Sequence, residues 1–167
     1  MKIDQNLKKI SISRLFLILI LGLLVAVVSC SEADRGVTKT GSFVDSEVEG
    51  IEYTSADGSG ETTFSGVTDE NGSFNYYEGD TVTFNIGGIV IGSATAEPVI
   101  TPVDLVDGAA DETDSTVTNI AKLLQTLDDN DNPEDGISIT DAVRTSAVEM
   151  SIDFSLSVAQ FQVDTKV

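Results

Sequence analysis

Residues 81–91 read Thr-Val-Thr-Phe-Asn-Ile-Gly-Gly-Ile-Val-Ile, and few folds accept such a stretch. From Val82 through Phe84 to Ile86 every second residue is apolar, which is the period of a strand with one buried face. Gly87-Gly88 then allows a tight reversal, and Ile89-Val90-Ile91 leads back, so the segment predicts a β-hairpin. Similar short signals precede it. Val48, Ile51 and Tyr53 bracket Glu49 and Glu52, and a Gly/Ser loop over 56–60 leads into the β-forming run Thr62–Val67. Asp69-Glu70-Asn71-Gly72 has the chemistry of a type I′ hairpin turn, after which Phe74 and Tyr76 alternate. Strands this short, spaced roughly 8–12 residues apart, predict a mainly β domain, an antiparallel sandwich or small barrel, with its core in 42–106.

Past Pro98 the pattern changes. Val99–Val106 is apolar but broken by Pro102, which suits an edge strand or a crossover. In 107–167 we expect an acidic loop, a helix, a second acidic loop and a C-terminal strand or helix, all of the same domain. Asp114 or Ser115 caps the helix, and Val117, Ile120, Ala121, Leu123, Leu124 and Leu127 gather on one side, so one amphipathic helix packs on the sheets. Ile152, Phe154, Leu156 and Val158 alternate as a strand would.

Composition removes whole classes of chemistry. The chain has 167 residues, no His, no Trp and one Cys, with 9 Lys+Arg against 28 Asp+Glu and a net charge of −19. Without His there is no Ser–His or Cys–His pair and no His-based metal site. One Cys excludes an internal disulfide and any CxxC cluster. A surface this acidic repels phosphate backbones, so no nucleic-acid partner is expected.

The first 29 residues differ from the rest. Lys2, Lys8, Lys9 and Arg14 precede an uncharged run, Leu15–Val28, which as a helix spans roughly 21 Å, short of a ~30 Å hydrocarbon core. Such a segment reads as a secretory signal, with a transmembrane anchor as the alternative. Its end, Val27-Val28-Ser29-Cys30, resembles the lipobox of bacterial lipoproteins. That resemblance implies cleavage before Cys30, acylation of Cys30, and a membrane partner through the lipid, with 30–41 as a flexible tether. Ser31 after the cysteine implies the outer membrane. Four of the nine basic residues would leave with the signal and only Asp4 of the acids, so the exported part is the more acidic.

One loop has a spacing with chemical content. Asp128, Asn130 and Asn132 follow the helix at i, i+2 and i+4, like the start of an EF-hand loop, and hard oxygens suit calcium. Pro133 stands where that motif has Gly and Ile139 where it has Glu, so Asp135, a carbonyl or water would have to complete the shell. The alternative is a polar loop that ends a helix. Calcium, with Asp128, Asn130, Asn132 and Asp135 as ligands, is the one cofactor the residues suggest.

Two further likenesses concern the exported part. Gly66–Phe74, with its TDENGSF core, resembles a hairpin of carboxypeptidase-regulatory-like and related Ig-like bacterial sandwiches. The series FVDSEVEGIEY, TDENGSF, GDTVTFNIGGIVIG, VITPVDLV, NIAKLLQTLDDNDNPEDGI and IDFSLSVAQF is similar to an uncharacterised group of proteobacterial surface lipoproteins. Members of that group continue past the equivalent of Val163. The likeness implies a non-enzymatic, adhesin-like exported module with a protein or glycan ligand. A calcium-binding structural module, or a hydrolase working through carboxylates alone, are the other readings the residues allow. Mass analysis of the membrane-extracted chain is expected to find a new N-terminus at Cys30 carrying acyl groups, and Cys30→Ser is expected to leave the leader uncut. An unmodified Cys30 would sink the anchor.

Overall fold

The computed structural model describes residues 36–164 apart from 131 and 133–135, and at 162–164 the backbone only. The leader, Cys30 and Asp135 lie outside the described residues. The domain is mainly β, with two packed sheets, a two-residue ladder beside them and short helices.

The larger sheet is antiparallel and contains β3 (Glu52–Ala56), β4 (Thr62–Val67), β6 (Thr81–Ile86) and β7 (Ile89–Thr95) in the order β4-β3-β6-β7. Its period-2 pattern turns Val82, Phe84 and Ile86 fully inward, and Gly87-Gly88 closes the β6–β7 hairpin. A smaller sheet has β1 (Lys39–Phe43) at its centre. β5 (Ser73–Tyr76) runs antiparallel on one side and β8 (Val99–Ile100) parallel on the other. β2 (Val48–Glu49) pairs in parallel with β9 (Ile137–Ser138).

Aromatic rings join the two sheets. Phe43 of β1 stacks on Phe84 of β6 at 4.5 Å between centroids, and Phe74 of β5 meets Phe84 edge-on at 5.4 Å and Tyr53 of β3 at 6.0 Å. Offset and edge-to-face contacts of this kind add about 0.5–1.5 kcal/mol each beyond their burial. Ser55, polar but fully buried on β3, is satisfied across the gap by donating to the Asn75 carbonyl at 2.8 Å.

Several elements depart from the sequence reading. β1 begins at Lys39, inside the stretch 30–41 read as a tether. Its residues show no apolar alternation before Phe43, and it is held by ladders on both sides. Asp69–Gly72 is not a hairpin turn, because β4 and β5 belong to different sheets. Asp69 Oδ1 accepts from the amides of Asn71 and Ser73, and the Gly72 carbonyl accepts from the Phe43 amide at 2.9 Å. The turn is thus a corner carrying the chain from one layer to the other. Gly72 has φ +66°, and a Cβ there would collide with the Phe43 carbonyl.

Asp114 caps α1 (Ser115–Thr126) as expected, accepting from the Thr116 amide at 2.8 Å, and Val117, Ile120, Leu123 and Leu124 are buried. A short helix α2 (Asp141–Ser146), capped by Thr140, is an element the sequence reading did not include. Residues 152–158 are not the strand their alternation suggests. Asp153 Oδ1 accepts from the Ser155 amide and hydroxyl and bends the chain, Asn119 of α1 donates to the Phe154 and Leu156 carbonyls, and α3 (Val158–Asp164) follows. The backbone groups that a ladder would have satisfied are thus taken by turn and side-chain partners.

The β6–β7 turn is also a docking point. The Gly88 amide donates to the Ala147 carbonyl at 2.9 Å, and a Cβ on Gly88 would meet the Val148 carbonyl and stand 2.7 Å from that of Met150. Gly88→Ala is expected to cost about 1–3 kcal/mol through this overpacking. It should appear as a lower denaturation midpoint with an unchanged slope, and an unaltered midpoint would refute the docking.

Candidate functional site

Two features follow one another at the end of α1, the acidic loop and an apolar cleft. Leu127 closes the helix, its amide donating to the Leu123 and Leu124 carbonyls, and Asp128 turns inward to 8% exposure. Asp128 Oδ1 accepts from the Ser138 amide at 2.9 Å, and Oδ2 from the Asn132 amide at 3.1 Å. Asn130 Oδ1 accepts from the same Asn132 amide at 2.7 Å, and the Asp129 amide donates to the Ser138 carbonyl at 3.0 Å. The i, i+2 spacing therefore does bring the Asp128 and Asn130 oxygens together, around a backbone N–H. Asn132 contributes that amide, and Asp135 lies outside the described residues. Among the described residues no group of three or more carboxylates or thiols is arranged to hold a metal ion. What the loop does in this geometry is clamp the end of α1 to β9, and through the β9–β2 ladder to the sheets.

The cleft opens beside that clamp. Leu123 and Leu127 of α1 form one wall, and Val143 and Ala147, four residues apart on and just after α2, form another. Met150, Ile152, Leu156 and Phe161 supply the third side, and Ile89 at the hairpin tip the floor. Its volume is about 790 Å³, within the roughly 300–1,000 Å³ of small-molecule sites.

Among the described residues few polar groups line the cleft: the hydroxyls of Thr126, Ser146 and Ser151, and Asp153. Thr126 already donates to the Lys122 carbonyl at 2.7 Å. The Ser155 hydroxyl, and then its amide, hold the Asp153 carboxyl below its ordinary range, so it stays ionised at neutral pH. An apolar wall with one carboxylate at its margin can bury a hydrophobic body and offers it little hydrogen bonding.

Asn119 holds the third side in place. It is fully buried, and its Nδ2 donates to the Phe154 carbonyl at 3.0 Å and the Leu156 carbonyl at 2.8 Å. These two carbonyls fix which end of the amide carries the hydrogens, and among the described residues Oδ1 is left buried without a partner. Opposite, Arg144 of α2 reaches back to the Gly50 carbonyl at 2.7 Å and the Ile139 carbonyl at 2.9 Å, and so sets the angle of α2.

Comparison with protein families, characterised proteins and solved structures finds no match to this chain.

The cleft was not visible in the sequence because its walls come from segments far apart along the chain. One signal was present: Val143, Ala147 and Met150 recur at i, i+4 and i+7 behind the cap Thr140-Asp141, the signature of a helix start. Asp128→Ala removes a charged acceptor from two backbone amides and is expected to lower stability by about 2–3 kcal/mol. Because the lost partners are amides, the loss in urea unfolding should be equal in chelator and in about 1 mM calcium. A loss seen only with calcium present would instead make Asp128 a calcium ligand.

Proposed function

We propose that this chain is a non-enzymatic exported binding module, held to a bacterial outer membrane by an acylated Cys30, and that its cleft takes up a small apolar molecule. The observation that carries this reading is the cleft itself. Its volume and apolar walls suit a ligand of ordinary small-molecule size, and Met150, 55% exposed at its mouth, is an adaptable apolar contact. The leader ending in Val28-Ser29-Cys30 supports export and anchoring. Among the described lining residues none is a histidine, cysteine, lysine, arginine or tyrosine, which favours a binding role for the cleft.

The driving force would be burial of apolar area at about 25 cal/mol per Å². The three lining hydroxyls set orientation more than affinity. An adhesive role would instead place the ligand on the outer sheet faces, and the cleft would then be irrelevant to binding.

The test is titration of the full chain with N-phenyl-1-naphthylamine, an uncharged fluorescent probe, together with Ser146→Trp. Ser146 is exposed and lines the cleft, so an indole there fills the space without disturbing the core. Binding with a rise in melting temperature is expected for the parent chain, with about tenfold weaker binding and unchanged melting for the variant. Equal binding by both, or none by either, would overturn the assignment.

A further inference from the structure

Among the described residues the larger sheet ends in β4, whose one strand neighbour is β3. Terminal strands offer backbone donors and acceptors to any passing chain, and proteins ordinarily blunt them with lysine, proline or an inward charge. β4, Thr62-Thr63-Phe64-Ser65-Gly66-Val67, has none of these. Thr62, Ser65, Gly66 and Val67 are exposed, Val67 at 47%. Phe64 steadies the strand from one face, its ring 4.9 Å from that of Tyr77. Pairing to β3 is regular from Val67 to Phe64 and is interrupted by a bulge only after Ser55. At the other end of the sheet Leu105 packs over one face of β7, where a Cβ on Gly92 would stand 2.8 Å from its side chain and 3.0 Å from its carbonyl.

Charge tells what the edge can accept. Glu61 precedes the strand and Asp69 and Glu70 follow it, so an uncharged rung sits between acidic ends. From Thr40 to Ala121 the sequence contains no Lys or Arg, so both sheets present one sign of charge except at Lys39, which is paired with Glu78 at 2.9 Å. A second copy of so acidic a chain would be repelled, and a basic one drawn in.

We propose that the β4 edge docks an extended segment of another protein by strand addition. The segment has about six uncharged residues, enough for roughly 20 Å of ladder, flanked by lysine or arginine that meet the acidic ends. Main-chain bonding would supply the affinity and the flanking charges the choice of partner.

Fluorescence polarisation with the full chain tests this. The probe is a labelled peptide of three alternating threonine–valine pairs between paired lysines. Two controls replace the lysines by glutamates, or alternate threonines by prolines that cannot pair. Binding of the first peptide alone is expected, weakening about tenfold or more between about 50 and 500 mM salt. Ser65→Lys combined with Val67→Lys should weaken it about tenfold or more without lowering the melting temperature, since both positions are exposed. Equal binding of the proline peptide would reveal mere charge adsorption and overturn the proposal. Equal binding by the double variant, or no binding at all, would do the same. So would a dimer in sedimentation that the double variant abolishes, because the occupant would then be a second copy.

Discussion

The contact of Phe43 with Phe84 is the hinge on which the fold depends. One ring comes from the smaller sheet and one from the larger, both are fully buried, and Phe74 closes on Phe84 from the side. Other choices along the chain follow from bringing these three rings together. Gly41 must lack a side chain because a Cβ there would stand 2.5 Å from the Phe74 ring and the Glu97 carbonyl. Gly72 must turn sharply because the Phe43 backbone lies against it. Ser55 is tolerated inside because the layers are close enough for its hydroxyl to reach Asn75. The small residues in this core are thus set by the large ones.

What the sequence revealed and what it hid divide along the range of the forces involved. The β6–β7 hairpin and α1 were legible because their signals are local: alternation, a Gly-Gly turn, an aspartate before an apolar stripe. The partition of strands between sheets was not, since Asp69–Gly72 has the same chemistry whether its flanking strands pair with each other or with others. β1 was hidden because its inward positions are a glycine, Gly41, and Phe43, so no apolar alternation marks it. The alternation at 152–158 misled because the amide of Asn119, some thirty-five residues away, takes up the carbonyls a ladder would have used. In the acidic loop the convergence of Asp128 and Asn130 was readable, whereas the amide they converge on was not.

The acids also serve the backbone. Asp57, Asp69, Asp111 and Asp153 each accept the amide two residues ahead, from Ser59, Asn71, Thr113 and Ser155. This repeated turn stabilises corners by local hydrogen bonding. Part of the net charge is therefore the by-product of building many tight turns from one residue type. The basic side chain of Arg144 is spent chiefly on the Gly50 and Ile139 carbonyls, an interior tie that leaves the acidic exterior uncompensated.

The ladders of β1 with β8 and β2 with β9 have a consequence in time. Both are parallel, so their partners must come from far along the chain. The bond of Ser138 to Glu49 closes a separation of 89 residues, and that of Arg144 to Gly50 closes 94. Loop-closure entropy must be met before such contacts return anything, which slows folding. The first half of the chain would emerge from synthesis with β1 lacking β8 on one side and β2 lacking β9, since neither has yet been made. If the chain crosses a membrane as an unfolded thread, as proposed, that delay would be useful, because the β2–β9 ladder could close only after the segment that carries β9 has passed.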